Sequence, residues 1–296
     1  MLRTQQLTNR HELSRWAWAD ALSERNVASR SSDEVRRALA ASGFLDPRGE
    51  AEELLAAADH GARPLQDLVA RRRRGEPLAW ITGSVMFGGV RVAVDPGVFV
   101  PRPHTQALAR RASRLLPERG IAVDLCTGSG AVAAVLAVAR PAAEVLATDL
   151  DPAAVACARR NGVRALQGDL DEPLPRSMVG RVDVLTAVAP YVPTEELHLL
   201  PRDVIAHEPR RALDGGPGGT EVLSRAAEAA ARWLRPGGVV LLEIGGDQAR
   251  EMTAALTDAG LSGIRVHRDR DGRDRSIQAR RPRRAPTHRT GRVEPS

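Results

Sequence analysis

Three textures of apolar and polar positions follow one another along the chain. Up to about residue 75, apolar residues recur three and four positions apart: Leu13, Trp16, Ala17 and Leu22 after Asn9, Val35 and Leu39 after Ser32-Asp33-Glu34, then Leu65, Leu68 and Val69. That spacing lays one apolar stripe along each helix, with caps and acids where a helix starts and glycines (Gly43, Gly61) where it ends. It predicts a helical domain over residues 1–75. The run Arg71 to Arg74 reads as the solvated last turn of a helix, where cations meet the dipole favourably. From Leu78 to Val100 the runs become short and β-like: Val85 to Phe87, Val90 to Val94 and Val98 to Val100. Gly88-Gly89 and Asp95-Pro96-Gly97 separate them, which predicts a β-hairpin connector over 76–104.

Beyond residue 105 the period alternates. Helices are predicted at 106–116, 131–139, 152–161, 221–234 and 248–259, and strands at 121–125, 144–148, 163–166, 182–188 and 239–244. Two closing strands, 264–267 and 276–279, flank the turn residues Asp269 to Asp274. Strands alternating with helices predict an α/β fold over 105–279: a mostly parallel, doubly wound sheet with an antiparallel C-terminal edge, which binds ligands at the carboxyl ends of its strands. Residues 280–296 carry Arg, Pro and Thr without an apolar period and predict a disordered basic tail dispensable for catalysis.

Composition removes several functions. Of 296 residues, 43% are hydrophobic and 27% charged, ordinary globular usage that excludes wholesale disorder. No apolar run approaches the ~20 residues that cross a bilayer, and no leader opens the chain, so a soluble cytoplasmic protein without a membrane partner is expected. The formal charge of +6 points to nucleic acid only until it is located. Six arginines and one glutamate after Ala279 supply +5 of it, leaving 37 basic and 36 acidic groups in the other 279 residues. All 43 basic residues are arginine, the mark of codon bias, and a folded basic face is not implied. Cys126 and Cys157 are too few for a disulfide scaffold and lack metal-ligand spacing. Both are expected to be buried and inert, and the tryptophans to be packing anchors.

The chemistry concentrates after the first strand of the α/β part, at Asp124-Leu-Cys-Thr-Gly-Ser-Gly130. Glycines allow a tight turn and close backbone approach to a ligand, and the following helix offers free amides. Asp149 ends the next strand, where a carboxylate accepts hydrogen bonds from ribose hydroxyls, and Asp169 follows the third, where it reaches an adenine amino group. Each alone reads equally well as a helix N-cap. Gly128, Gly130 and Ala133 also satisfy a dinucleotide pattern, but a carboxylate at Asp124 repels a pyrophosphate and attracts a cationic sulfonium. S-adenosylmethionine is therefore the expected cofactor, with Asp124, Cys126, Thr127, Gly128, Gly130, Asp149, Leu150, Asp169 and Leu170 around it.

These residues, with Ala147-Thr-Asp-Leu-Asp-Pro152 and Asn161, resemble class I methyltransferases of the HemK/PrmC type. The resemblance extends over Arg73–Gly83, Val94–Pro103, Glu208–Gly216 and Trp233–Gly238, roughly residues 50 to 280. It implies a Rossmann-like sheet with a small N-terminal helical domain, and methylation of the glutamine in the Gly-Gly-Gln loop of release factors. In that family an Asn-Pro-Pro-Tyr signature follows the fourth strand. The Asn side chain and the next carbonyl accept hydrogen bonds from the target amide, and the aromatic ring packs on it. Here the corresponding residues are Val188, Ala189, Pro190 and Tyr191, the sole tyrosine. Val188 has no acceptor, while Ala189 keeps its carbonyl. Gln106, and often His104, stand where the family has acids. His207 and Glu208 read as a base near the acceptor or as loop residues bracing Arg210, and the second is favoured because amide methylation needs little general base before transfer. Three readings stay open: an acceptor other than a release-factor glutamine, such as a small molecule, which the sequence favours; a weakened glutamine methyltransferase acting on a release-factor-like protein; or a binding protein without catalysis.

Overall fold

The computed structural model describes residues 31–60 and 63–283, which form two units dividing between Thr82 and Gly83. The helix expected after Asn9, with Trp16 and Trp18, lies outside the described residues.

The first unit holds α1 (31–41), α2 (Pro47–His60), α3 (Leu65–Arg73) and α4 (Leu78–Thr82). Val35, Leu39, Leu54, Leu68 and Ile81 form its core. α4 falls where β texture was expected. Five residues are too few to separate the two periods, and burial of Ala79, Trp80 and Ile81 decides for helix. The arginine run closes α3 as expected, with Arg73 and Arg74 exposed, but one of its members is not solvated. Arg72 lies four residues after Leu68 on the inward face, only 7% exposed. It donates twice to Glu50, at 2.6 and 2.9 Å, and stacks 3.9 Å from the Phe44 ring centroid.

The second unit opens with the hairpin of β1 (Ser84–Phe87) and β2 (Val90–Ala93), turned by Gly88-Gly89. The third expected run, 98–100, is not a strand. Pro101 and Pro103 remove ladder donors beside it, and Val98 instead packs on Ala154 and Cys157.

After α5 (Thr105–Leu115) come β3 (Ile121–Leu125), α6 (Ala131–Ala139), β4 (Glu144–Asp149), α7 (Pro152–Arg160), β5 (Arg164–Gln167) and β6 (Val182–Ala187). A long segment containing α8 (Arg202–His207) leads to α9 (Glu221–Trp233), β7 (Leu234–Glu243), α10 (Ala249–Asp258), β8 (Ser262–Arg268) and β9 (Asp274–Arg280). The strands form one sheet in the order β5-β4-β3-β6-β7-β9-β8. The first five are parallel. β9 runs antiparallel between β7 and β8, so the closing hairpin is present but its antiparallel member is the inner strand.

Alternate residues of the central strands enter opposite layers, as a doubly wound sheet demands. Val123, Leu185 and Leu242 pack with α9, whereas Ala122, Val184 and Leu241 pack with α5 and α6. Arg280 is the last residue of β9 and Arg281 still exchanges backbone hydrogen bonds with Gly237 and Gly238. The expected tail therefore begins too early at residue 280, because a sheet ladder needs no apolar side chain; residues 284–296 lie outside the described part. No helix among the described residues is long and apolar enough to cross a membrane.

Candidate active site

The strand order reverses beside β3, because β4 and β5 lie on one side of it and β6 and β7 on the other. At the carboxyl ends of these strands, where such a reversal opens a crevice, lies a cavity of about 210 Å³. Every residue of the expected cofactor set except Gly130 lines it. Gly130 instead holds α6 close to α7. A Cβ there would stand 3.0 Å from the Ala158 and Val163 side chains, and φ of +82° favours glycine. At Gly128 a Cβ would meet nothing within 4 Å, so this part of the loop faces open space.

Asp124 is 1% exposed. Parallel pairing sets it opposite Thr186 of β6, whose hydroxyl donates to one carboxylate oxygen at 2.6 Å; Thr127 donates to the other at 2.6 Å. Burial outweighs these bonds and pushes its pKa up to about 6. The Asp149 carboxylate accepts from the Gly128 and Asp151 amides at 2.8 and 2.9 Å, fixing the glycine loop, and burial raises its pKa too. It does not cap α7; Asp151 does, accepting from the Ala153 amide. Asp169 pairs with Arg225 at 2.7 Å through one oxygen. Cys126 and Leu170 take φ of +52° and +47°, the described non-glycine residues with positive φ, and both line the cavity. Such strain gathers where a site dictates the backbone. Cys126 is therefore not fully buried, but desolvation first, then Asp149, hold its thiol protonated.

The lining has five aspartates and three arginines. Arg211 and Arg225 are bound to Asp151 and Asp169, and Arg102 to Glu208. The surplus of carboxylate and the open glycine loop suit a cationic nucleoside and oppose a pyrophosphate. Among the described residues, three buried hydroxyls lack a partner, and Thr105 and Ser129 of these line the cavity. Such unpaired buried hydroxyls are uncommon, and here two of the three belong to residues of the cavity wall.

Of the four residues expected to form the acceptor motif, Val188 and Pro190 line the same cavity. Ala189 is 2% exposed, and the ring of Tyr191 is packed away from the lining, within 3.0 Å of where a Cβ on Gly245 would stand.

The comparisons agree with this geometry. The family model of FtsJ-like methyltransferases matches residues 106–273. The chain is 38% identical over 278 residues to the release factor glutamine methyltransferase of Mycobacterium leprae, covering 85% of this chain and 96% of that protein. It is 34% identical over 271 residues to the protein of the same name from Geobacter sulfurreducens, covering 84% and 94%. The chain belongs to the HemK/PrmC family of methyltransferases. Its cofactor is accordingly S-adenosylmethionine. Among solved structures, a methyltransferase from Pyrococcus furiosus shares the fold, with a TM-score of 0.50 and 21% identity over 66% of this chain and 90% of that one.

Against the family's pattern, several groups go beyond the expected residues. Glu208 does not brace Arg210, which pairs with Asp214. It accepts from Arg102 at 2.7 Å and from the Val100 amide, joining two walls of the cavity. Arg102 in turn lies 4.6 Å from the Phe99 ring, another lining residue. The Glu208 carboxyl is pushed up by burial, against the pull of Arg102. His207 contacts the Asp203 carbonyl at 2.9 Å, a helix-end role. His104 contacts Glu243 at 3.2 Å, and Gln106 reaches Arg110 on its own helix. Trp233 anchors packing and donates to Asp171 at 2.6 Å. Asn161 joins the glycine loop to the hairpin, bonding the Ser129 carbonyl and both backbone groups of Ala93.

Proposed function

We propose that this chain methylates a glutamine side-chain amide presented by a release-factor-like protein, with the Ala189 carbonyl as the acceptor of the target N–H. One observation carries the reading: Val188 and Pro190 stand in the wall of the same cavity as the glycine loop and the acids. The names of relatives that align along nearly their whole length support the acceptor. When bound, S-adenosylmethionine supplies a methyl group activated by a positive sulfur. The chain's own residues do the rest. Asp149 fixes the glycine loop, the buried Asp124 draws the cation, and the packed Val188–Tyr191 turn limits water around the amide. Alignment of a weakly nucleophilic amide nitrogen is the main contribution such a site can make to the transfer. Methyl-labelled S-adenosylmethionine incubated with release factor should label the glutamine of the Gly-Gly-Gln loop, located by peptide mapping. Label elsewhere, or none, contradicts the reading.

A second reading is favoured by Val188 itself. An apolar residue in place of the amide acceptor fits a less polar substrate, because a primary amide against it leaves a polar group unpaired. Label transferred to a small molecule of a cell extract, and not to release factor, would select it.

A further inference from the structure

Resting on the assignment of Val188–Tyr191 as the acceptor motif, we infer that the carboxyl end of β7 and the start of α10 position this motif, through Glu243 and Gln248. The two residues hold Tyr191 at opposite ends. The Gln248 side-chain nitrogen donates to the Tyr191 carbonyl at 2.7 Å and to the Gly218 carbonyl at 3.1 Å, while its oxygen accepts from the Gly245 amide at 2.9 Å. All three polar bonds of this amide are thus spent on backbone, at 7% exposure. Glu243 is 1% exposed and contacts His104 Nε2 at 3.2 Å; the Tyr191 hydroxyl lies 3.5 Å from the same nitrogen. Burial first, then the Glu243 carboxylate, hold the Tyr191 phenol protonated, so it stays a donor.

The surrounding backbone closes the grip. Gly219 crosses so near the Tyr191 carbonyl that a Cβ there would stand 2.2 Å from it. The next residue, Val192, bonds Leu213 and Gly215 in a short parallel bridge. Tyr191 therefore serves as the fixed end of the turn, and its fixation sets where Val188 and Pro190 enter the cavity wall and where the Ala189 carbonyl points. Neither Glu243 nor Gln248 lines the cavity, so both act through Tyr191. His104 belongs to the same device. An acid at that position would set two carboxylates together in a buried site, where like charges oppose each other.

Because Tyr191 is the only tyrosine, its ring gives a single signal in a tyrosine-labelled NMR spectrum. The test compares the full-length chain with Glu243→Gln and Gln248→Leu, reading three quantities: the Tyr191 ring signal, S-adenosylmethionine affinity by calorimetry, and kcat and KM for release factor. Expected are a shifted Tyr191 signal, cofactor affinity within about twofold, and kcat/KM lower by roughly tenfold to a hundredfold, the cost of a misaligned reacting group. Glu243→Gln preserves shape and keeps the test readable should Gln248→Leu not fold. An unmoved Tyr191 signal in either folded variant overturns the inference whatever the acceptor. A shifted signal with unchanged methyl transfer overturns it as well. Absence of transfer by the unmodified chain instead defeats the acceptor assignment, while the Tyr191 signal still decides the grip.

Discussion

The cofactor end and the acceptor end of the cavity are built by different means. At the cofactor end, short loops follow β3 and β4 directly, so the sheet itself aims Asp124, Asp149 and the glycine loop. Register alone brings Thr186 to Asp124. At the acceptor end, Val188–Tyr191 leaves β6 as a turn without regular structure and is held by groups from far along the chain: Gln248, Gly219, Leu213 and, through His104, Glu243. A site aimed by strand ends tolerates little change in its few loop residues. One held by long-range bonds can exchange a lining residue while keeping its scaffold, and the proposed acceptor turn with Val188 in its wall is of that kind.

The sharpest break of this contrast is at Gly130. Gly130→Val drives a branched side chain into Ala158 and Val163 at a positive φ, and should cost about 3 kcal/mol or more. A drop in melting temperature and lost S-adenosylmethionine binding check it; a melting temperature within error would show that α6 and α7 have room to separate. Next, Asp149→Ala removes the carboxylate that holds the Gly128 and Asp151 amides. Cofactor affinity should fall roughly 10- to 100-fold, as expected for lost hydrogen bonds to a charged group, with acceptor KM little changed. Calorimetry with and without acceptor separates the two ends.

A pH series gives a smaller effect. In the proposed site the ionised Asp124 carboxylate is the group that draws the cationic cofactor, and burial pushes its pKa up to about 6. Affinity should therefore be level above that pH and fall by up to tenfold per unit below it, as the charge is lost. The linkage for folding has the opposite sense: with the folded pKa above 3.8, the group's contribution to stability declines as pH rises from 3.8 to about 6. Asp124→Asn should flatten both profiles; a binding slope that persists in the variant assigns the titration elsewhere.

The difference between the ends also explains what the sequence makes legible. The helix-strand alternation and Asp124–Gly130, Asp149 and Asp169 can be read because each follows a strand within a few residues, so spacing is geometry. Thr186, Glu208, Glu243 and Gln248 could not be read that way. Gln248 meets Tyr191 from 57 residues away, and only strand order brings them together. Glu208 carries a local signal that points to nearby Arg210, but its partner is Arg102, 106 residues earlier. In the helical unit, four consecutive arginines look uniformly solvated, while the position of Arg72 on the Leu68 face buries that one alone among those four.

The most direct measurement is methyl transfer to release factor by the unmodified chain and by Val188→Asn, side by side. Restoring a side-chain acceptor beside the Ala189 carbonyl adds a hydrogen bond of about 0.5 to 1.5 kcal/mol and better alignment, so transfer should rise several-fold. The scaffold that Gln248 and Glu243 maintain should leave cofactor affinity unchanged. A fall in transfer to release factor, with a small-molecule acceptor methylated better by the unmodified chain, would contradict the glutamine assignment and establish Val188 as an apolar wall for a different substrate.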